Sequence, residues 1–85
     1  MSINIEYAGD REIAVETLRF ILDEGVKPTS LFVPSRKKAS HDQDLIDLCD
    51  HLDPSKILRG KEFKKDENIS MLEGLDLDYI ISIHF

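Results

Sequence analysis

At 85 residues the chain has room for one domain, spanning 1–85, and a second full domain is excluded. Its residues are 41% hydrophobic and 33% charged, too apolar for a disordered chain and too charged for a membrane segment. With 17 acidic side chains against 11 basic ones the net charge is −6, which opposes non-specific attraction to phosphate backbones and sets nucleic acid aside as a default partner.

The segment Met1 to Glu6 has neither a basic start nor an unbroken apolar stretch. The longest charge-free run at the other end, Tyr79 to Phe85, is far below the roughly 20 residues of a spanning helix. One cysteine, Cys49, cannot build an internal disulfide. No membrane partner is expected, and the expected compartment is the cytoplasm.

In chain order, Ile3 to Ala8 is rich in branched and aromatic residues and stops at Gly9-Asp10, which predicts a strand and a turn. From Arg11, the apolar residues Ala14, Val15, Leu18, Ile21 and Leu22 recur at helical spacing. Asp10 stands at the N-cap of that helix and Gly25 at its release point. Leu31-Phe32-Val33, between Pro28 and Pro34, is a second strand. Ser40 and Gln43 match a reciprocal capping box ahead of a helix carrying Leu45, Ile46, Leu48, Cys49 and Leu52, ended by Asp53-Pro54. Lys56-Ile57-Leu58 predicts a short edge strand, and Ile69, Met71, Leu72 and Leu75 a weak helix. Asp78 to Phe85 is almost continuously apolar, the pattern of a strand covered on both faces of a parallel sheet.

This alternation implies right-handed crossovers and a three-layer Rossmann-like α/β fold with strand order 3-2-1-4. The winding reverses between the first and last strands, and ligands bind beyond the carboxyl ends of strands at such a reversal. That rule points to Gly9 and Asp10 on one side and to His84 and Phe85 on the other. A strand buried on both faces at the last residue further implies that the chain is the N-terminal part of a longer protein.

The turn after the first strand carries only Gly9, so the three-glycine dinucleotide fingerprint is missing, and no phosphate-binding loop with Gly-Lys-Ser/Thr occurs. His41 and His51 fall about 15 Å apart along a helix and cannot share a metal. Cys49 and His51 point in different directions, and no metal is expected. His51 fits as a dipole partner at a helix end and Cys49 as a small core residue. His84 breaks an apolar strand where the crevice opens, placing an imidazole in reach of a ligand. Ser82 shares its side of the strand, but no acid follows to complete a nucleophilic triad.

The segment Ala8-Gly9-Asp10-Arg11-Glu12-Ile13-Ala14-Val15-Glu16-Thr17-Leu18 resembles the opening of folate-dependent formyltransferases of the methionyl-tRNA formyltransferase type. In those enzymes a strand ends A-G-x-x-E-[FI]-A-V-x-x-L. Leu75-Asp76-Leu77-Asp78-Tyr79-Ile80-Ile81-Ser82 is similar to their L-x-P-D-[LV]-I-[VI]-S strand, with Leu77 at the usual proline. Between these segments the likeness lies in element order and spacing. The resemblance implies a formyltransferase N-terminal subdomain, truncated here, from an enzyme that moves a formyl group from 10-formyltetrahydrofolate to an amine. The Asn, His and Asp that do this in the family follow the fourth strand, so these 85 residues alone are expected to be inactive. His84 is not that histidine. The family's folate pocket begins after the strand, leaving His84 and Phe85 at its rim.

The basic loop between Pro34 and Ala39 is short and the chain acidic, which favours an amino-sugar nucleotide over methionyl-tRNA as acceptor. Arg36 and Lys37 are then placed to meet a phosphate. The competing reading is a non-catalytic, flavodoxin-like binding or regulatory module, completed by dimerisation through the exposed terminal strand.

Overall fold

The structure, a computed structural model, describes residues 3–83. His84 and Phe85, both candidates from the sequence, lie outside the described residues. Strands β1 (Ile5–Gly9), β2 (Ser30–Val33), β3 (Ile57–Arg59) and β4 (Tyr79–Ile83) form one parallel sheet in the order β3-β2-β1-β4. Helices α1 (Arg11–Asp23), α2 (Asp42–Leu48) and α3 (Asp66–Gly74) connect them, with short 3-10 segments at Pro54–Lys56 and Gly60–Lys64 on either side of β3. The chain is therefore an α/β, Rossmann-like fold with the expected strand order.

Strand alternation sends Tyr7, Leu31 and Val33 to one face, where they meet Ala14, Val15 and Leu18 of α1 and Leu45 of α2, with Cys49 just beyond. All are buried, and each large aliphatic among them contributes about 1.5–3 kcal/mol. The Tyr7 hydroxyl donates to the Ala14 carbonyl at 2.7 Å, satisfying the one polar atom this aromatic ring carries into the core. Helix α1 ends as its sequence predicts. Gly25 adopts φ 87°, its N–H bonds Leu22 and that of Val26 bonds Ile21, the paired closure of a Schellman motif.

The opposite face carries Glu6, Ala8, Ser30 and Leu58, all buried. α3 crosses on this side, as right-handed connection from β3 back to β4 requires, and the Asn4 amide donates to the carbonyls of Leu75 and Asp76 at its end. Glu6 is 5% exposed, and the Ser30 hydroxyl on the neighbouring strand donates to its carboxyl. Burial pushes the Glu6 pKa up, and the Ser30 bond offsets only part of that. A raised folded-state pKa means the contribution is full below the ordinary carboxylate range and is lost as pH rises through the shifted value. Glu6→Gln keeps an acceptor for Ser30 and cannot ionise. We expect it to stabilise the domain at pH 8 by on the order of 1–3 kcal/mol and to change little at pH 4. Thermal melts at the two pH values check this, and an equal effect at both would refute it.

One expectation is corrected. The apolar composition of β4 predicts cover on both faces, yet β4 is an open edge, with Tyr79 63% and Ile80 70% exposed. Only Ile81 and Ile83 pack against the core. The reason is local, since α3 has no buried residue and its end is tied to Asn4 just ahead of β1, so that Ile80 stays exposed although its neighbour Glu6 is covered. The other edge, β3, is short and bounded by Lys56 and Arg59, which discourages pairing, whereas β4 carries no charge or proline.

Candidate functional site

A cleft of about 540 Å³ opens at the carboxyl ends of β1, β2 and β3. Asp10 and Arg11 follow β1, Ser35 and Lys38 follow β2, and Gly60 and Lys61 follow β3. In a parallel sheet all three loops leave from one end, so residues 50 positions apart in sequence share one mouth. The volume lies within the 300–1,000 Å³ typical of small-molecule sites.

Asp10 does not cap α1, although it stands at that position. Its carboxylate, 3% exposed, accepts from the amides of Ser40 (2.9 Å) and His41 (2.8 Å) and from the Ser40 hydroxyl (3.1 Å). The side chain thus caps the start of α2 from the end of β1. Burial alone would raise its pKa. The hydrogen bonds from His41, Ser40 and Arg11 outweigh that and hold Asp10 ionised below the usual carboxylate range. The capping box expected from Ser40 and Gln43 is absent for the same reason: Ser40 turns to Asp10, and the Gln43 amide donates to Asp47 at 2.8 Å.

Asp10, Ser40 and His41 bring together the three residue types of a nucleophilic triad in the wrong order. The Ser40 hydroxyl sits between the other two, donating to the Asp10 carboxylate at 3.1 Å and lying 2.9 Å from His41 Nδ1. A triad needs the imidazole in the middle, where the acid orients it and the hydroxyl yields to it. Asp10, Ser40 and His41 are therefore not arranged as a nucleophilic triad.

Arg11 opens α1 at φ 77°, a left-handed conformation that costs a non-glycine residue roughly 1–3 kcal/mol and is concentrated at ligand sites. Gly60, at φ 55°, closes the floor between the loops after β2 and β3. A Cβ there would come within 3.3 Å of the Ser35 Cβ. Arg36 and Lys37 lie exposed in the turn after β2, and it is the third member of that basic run, Lys38, that lines the cleft. Gly9 contributes no lining. It lets β1, α1 and β4 meet, with the Asp10 amide donating to the Ile83 carbonyl at 3.4 Å. The seam between β1 and β4 is thus closed at this level, and the cleft is displaced toward β2 and β3.

The remaining titratable candidates are structural. His51 lies past the end of α2, and its Nε2 bonds the Pro28 carbonyl at 2.8 Å rather than that helix's last carbonyls. Cys49 is buried, its thiol pushed up to about 11 by burial and by Asp50, and Tyr7 is pushed up to about 12 by burial and by Cys49. Neither is a nucleophile or base at neutral pH. Asp42 is held low by the Arg59 guanidinium, which bonds it at 2.6 Å. Among the described residues no three His, Cys, Asp or Glu side chains are placed to hold a metal, and no helix is long and apolar enough to cross a membrane.

In the sequence Lys38 and Lys61 belong to two separate basic clusters, Arg36-Lys37-Lys38 and Lys56 to Lys65, either of which could meet a polyanion, while Arg11 does not stand out and nothing along the chain joins Arg11 or Lys61 to the loop after β2. The available signal was positional: each sits within five residues of the carboxyl end of a predicted parallel strand. No protein family, characterised protein or solved structure matches this chain.

Proposed function

We propose that the chain is the N-terminal domain of a formyltransferase, which moves a formyl group from 10-formyltetrahydrofolate to the amine of an amino-sugar nucleotide or of methionyl-tRNA. One observation carries the reading. Of the positions through which the chain resembles such enzymes, Gly9, Ala14, Val15 and Leu18 make the seam between β1 and α1, Ala8 is buried on the opposite face, Glu12 and Ile13 are exposed, and the first of the cleft's loops leaves from that seam. The segment similar to the family's fourth strand forms β4 and pairs with β1.

Within this domain the residues bind and orient. Asp10 is ionised and saturated with hydrogen bonds, so it does not move a proton, and no other described acid or imidazole lines the cleft. The folate, when bound, supplies the one-carbon unit. In the resembled enzymes its pocket begins after the fourth strand, where His84 and Phe85 would supply part of the rim.

The test is transfer of labelled formyl from 10-formyltetrahydrofolate by the full translation product of the gene, offered amino-sugar nucleotides and methionyl-tRNA in parallel. The 85-residue chain alone is expected to transfer nothing. Absence of a formylated amine with either acceptor class would overturn the proposal.

The open edge of β4 favours a second reading, a binding module whose sheet is completed by a second copy pairing along Tyr79–Ile83. Sedimentation of the 85-residue chain with and without Ile80→Lys separates the two, because only this module reading requires a dimer that the lysine dissolves.

A further inference from the structure

We propose that the cleft at the carboxyl ends of β1, β2 and β3 is a subsite for the phosphoryl or diphosphoryl group of a small ligand, held by Arg11, Lys38 and Lys61. Its identification as the acceptor's phosphate end rests on the transferase reading, whereas the anion site itself stands on the following geometry.

Three cations from three separate loops line one mouth in a chain whose net charge is −6. None of the three has an ionic partner among the described residues, in contrast to Arg59, which is neutralised by Asp42. The acid in the lining, Asp10, is turned inward. It is 3% exposed, and both oxygens are taken by Ser40 and His41, so its charge is spent on α2 and not on the cations. Unpaired cations that converge on a concave surface raise the local concentration of anions, against the net negative charge of the chain as a whole. Arg11 is held there at a backbone cost, and the Gly60 turn, packed against Ser35, adds a hydroxyl-bearing loop to the mouth.

The size decides between ligand classes. A volume of about 540 Å³ exceeds a single phosphate and suits a diphosphate with an attached ring. A polynucleotide would need a longer basic track than three side chains and would meet the repulsion of the remaining acidic surface.

The 85-residue chain, labelled with nitrogen-15, is titrated with inorganic phosphate, inorganic pyrophosphate, uridine diphosphate and a single-stranded RNA while amide shifts are followed. Pyrophosphate and uridine diphosphate are expected to shift amides at residues 10–11, 35–38 and 60–61, and to bind more tightly than phosphate. Lys38→Ala and Lys61→Ala, both on exposed side chains, are each expected to weaken pyrophosphate about five- to tenfold, with unaltered spectra elsewhere. Lys27→Ala, at the opposite end of the sheet, is the control and is expected to change nothing. Tighter binding of uridine diphosphate than of pyrophosphate identifies a nucleotide as the source of the phosphates, and the reverse identifies a simple phosphorylated metabolite. Shifts spread over all basic surfaces, losses as large in the Lys27 variant, or RNA binding above both diphosphates would overturn the proposal. No folate or amine enters this titration. Its failure therefore leaves formyl transfer untouched, while intact diphosphate binding without formyl transfer would remove the transferase reading alone.

Discussion

Asp10→Ala is expected to destabilise the domain by roughly 2–4 kcal/mol, lowering the melting temperature by about 10–30 °C at this chain length. An ordinary N-cap exchanged for alanine costs about 1 kcal/mol. Asp10 exceeds that because it is ionised, nearly inaccessible, and joins two segments 30 residues apart through the amides of Ser40 and His41 and the Ser40 hydroxyl. Truncation leaves both amides without a charged acceptor and frees the start of α2 from the end of β1. Against a total stability of about 4–13 kcal/mol for a domain of this size, the loss leaves the fold marginal. The pH dependence fixes the cause. A carboxylate whose folded pKa is depressed contributes stability that is present above its ordinary range and is lost as pH falls through the lower value, so the wild type weakens on acidification. The alanine variant keeps only the smaller limb that Asp42, held low by Arg59, contributes. Circular dichroism melts between pH 7 and pH 3 measure both quantities, with Ser40→Ala, which removes only the hydroxyl, expected to cost about 1 kcal/mol. A loss below 1 kcal/mol for Asp10→Ala, or an unchanged acid limb, would show that the link between β1 and α2 is not what holds this end of the sheet.

The role of Asp10 also shows how far the sequence could be read. Everything governed by neighbours along the chain was legible: the spacing of Ala14, Val15 and Leu18 marks the buried stripe of α1, and Gly25 closes it. The strand order was legible as well, because alternating strands and helices with right-handed crossovers leave few arrangements. Capping was not. Local rules assign Asp10 to α1 and pair Ser40 with Gln43, whereas the actual partner of Asp10 is reached only after β2 has been laid beside β1. The cover of β4 was misread for a related reason. Apolar composition reports what a strand prefers to touch, and Ile80 is left 70% exposed. Lys38 and Lys61 likewise look like parts of two unrelated basic runs until the register Leu31 to Ile57 brings the loops after β2 and β3 together.

Gly9→Ala tests the seam itself, and its sign is the informative quantity. Gly9 is not among the glycines with positive φ, so its backbone needs no glycine. Where a backbone tolerates alanine and space is free, the exchange stabilises by about 0.4–1 kcal/mol, because the unfolded chain loses freedom. Here the new methyl would lie 2.9 Å from the Ala14 Cβ and 3.1 Å from the Ile83 carbonyl oxygen. Neither is the far end of a flexible side chain, so α1 must lift from β1, or β4 must shift and weaken the Asp10 to Ile83 bond. Such overpacking costs typically 1–3 kcal/mol, which outweighs the entropic gain. We expect a net loss of about 1–2 kcal/mol, seen as a drop in denaturation midpoint with an unchanged slope. Combining it with Ala14→Gly identifies the clash. The single Ala14→Gly exchange costs about 1 kcal/mol in helix propensity, but in the double variant the 2.9 Å contact is gone. The two changes should then cost less together than the sum of each alone, by more than 0.5 kcal/mol. Full recovery is not expected, because the Ile83 carbonyl still opposes the methyl. Additive losses, or a Gly9→Ala variant more stable than the wild type, would mean that β1, α1 and β4 do not meet at this glycine, and the placement of the cleft's first loop would fall with it.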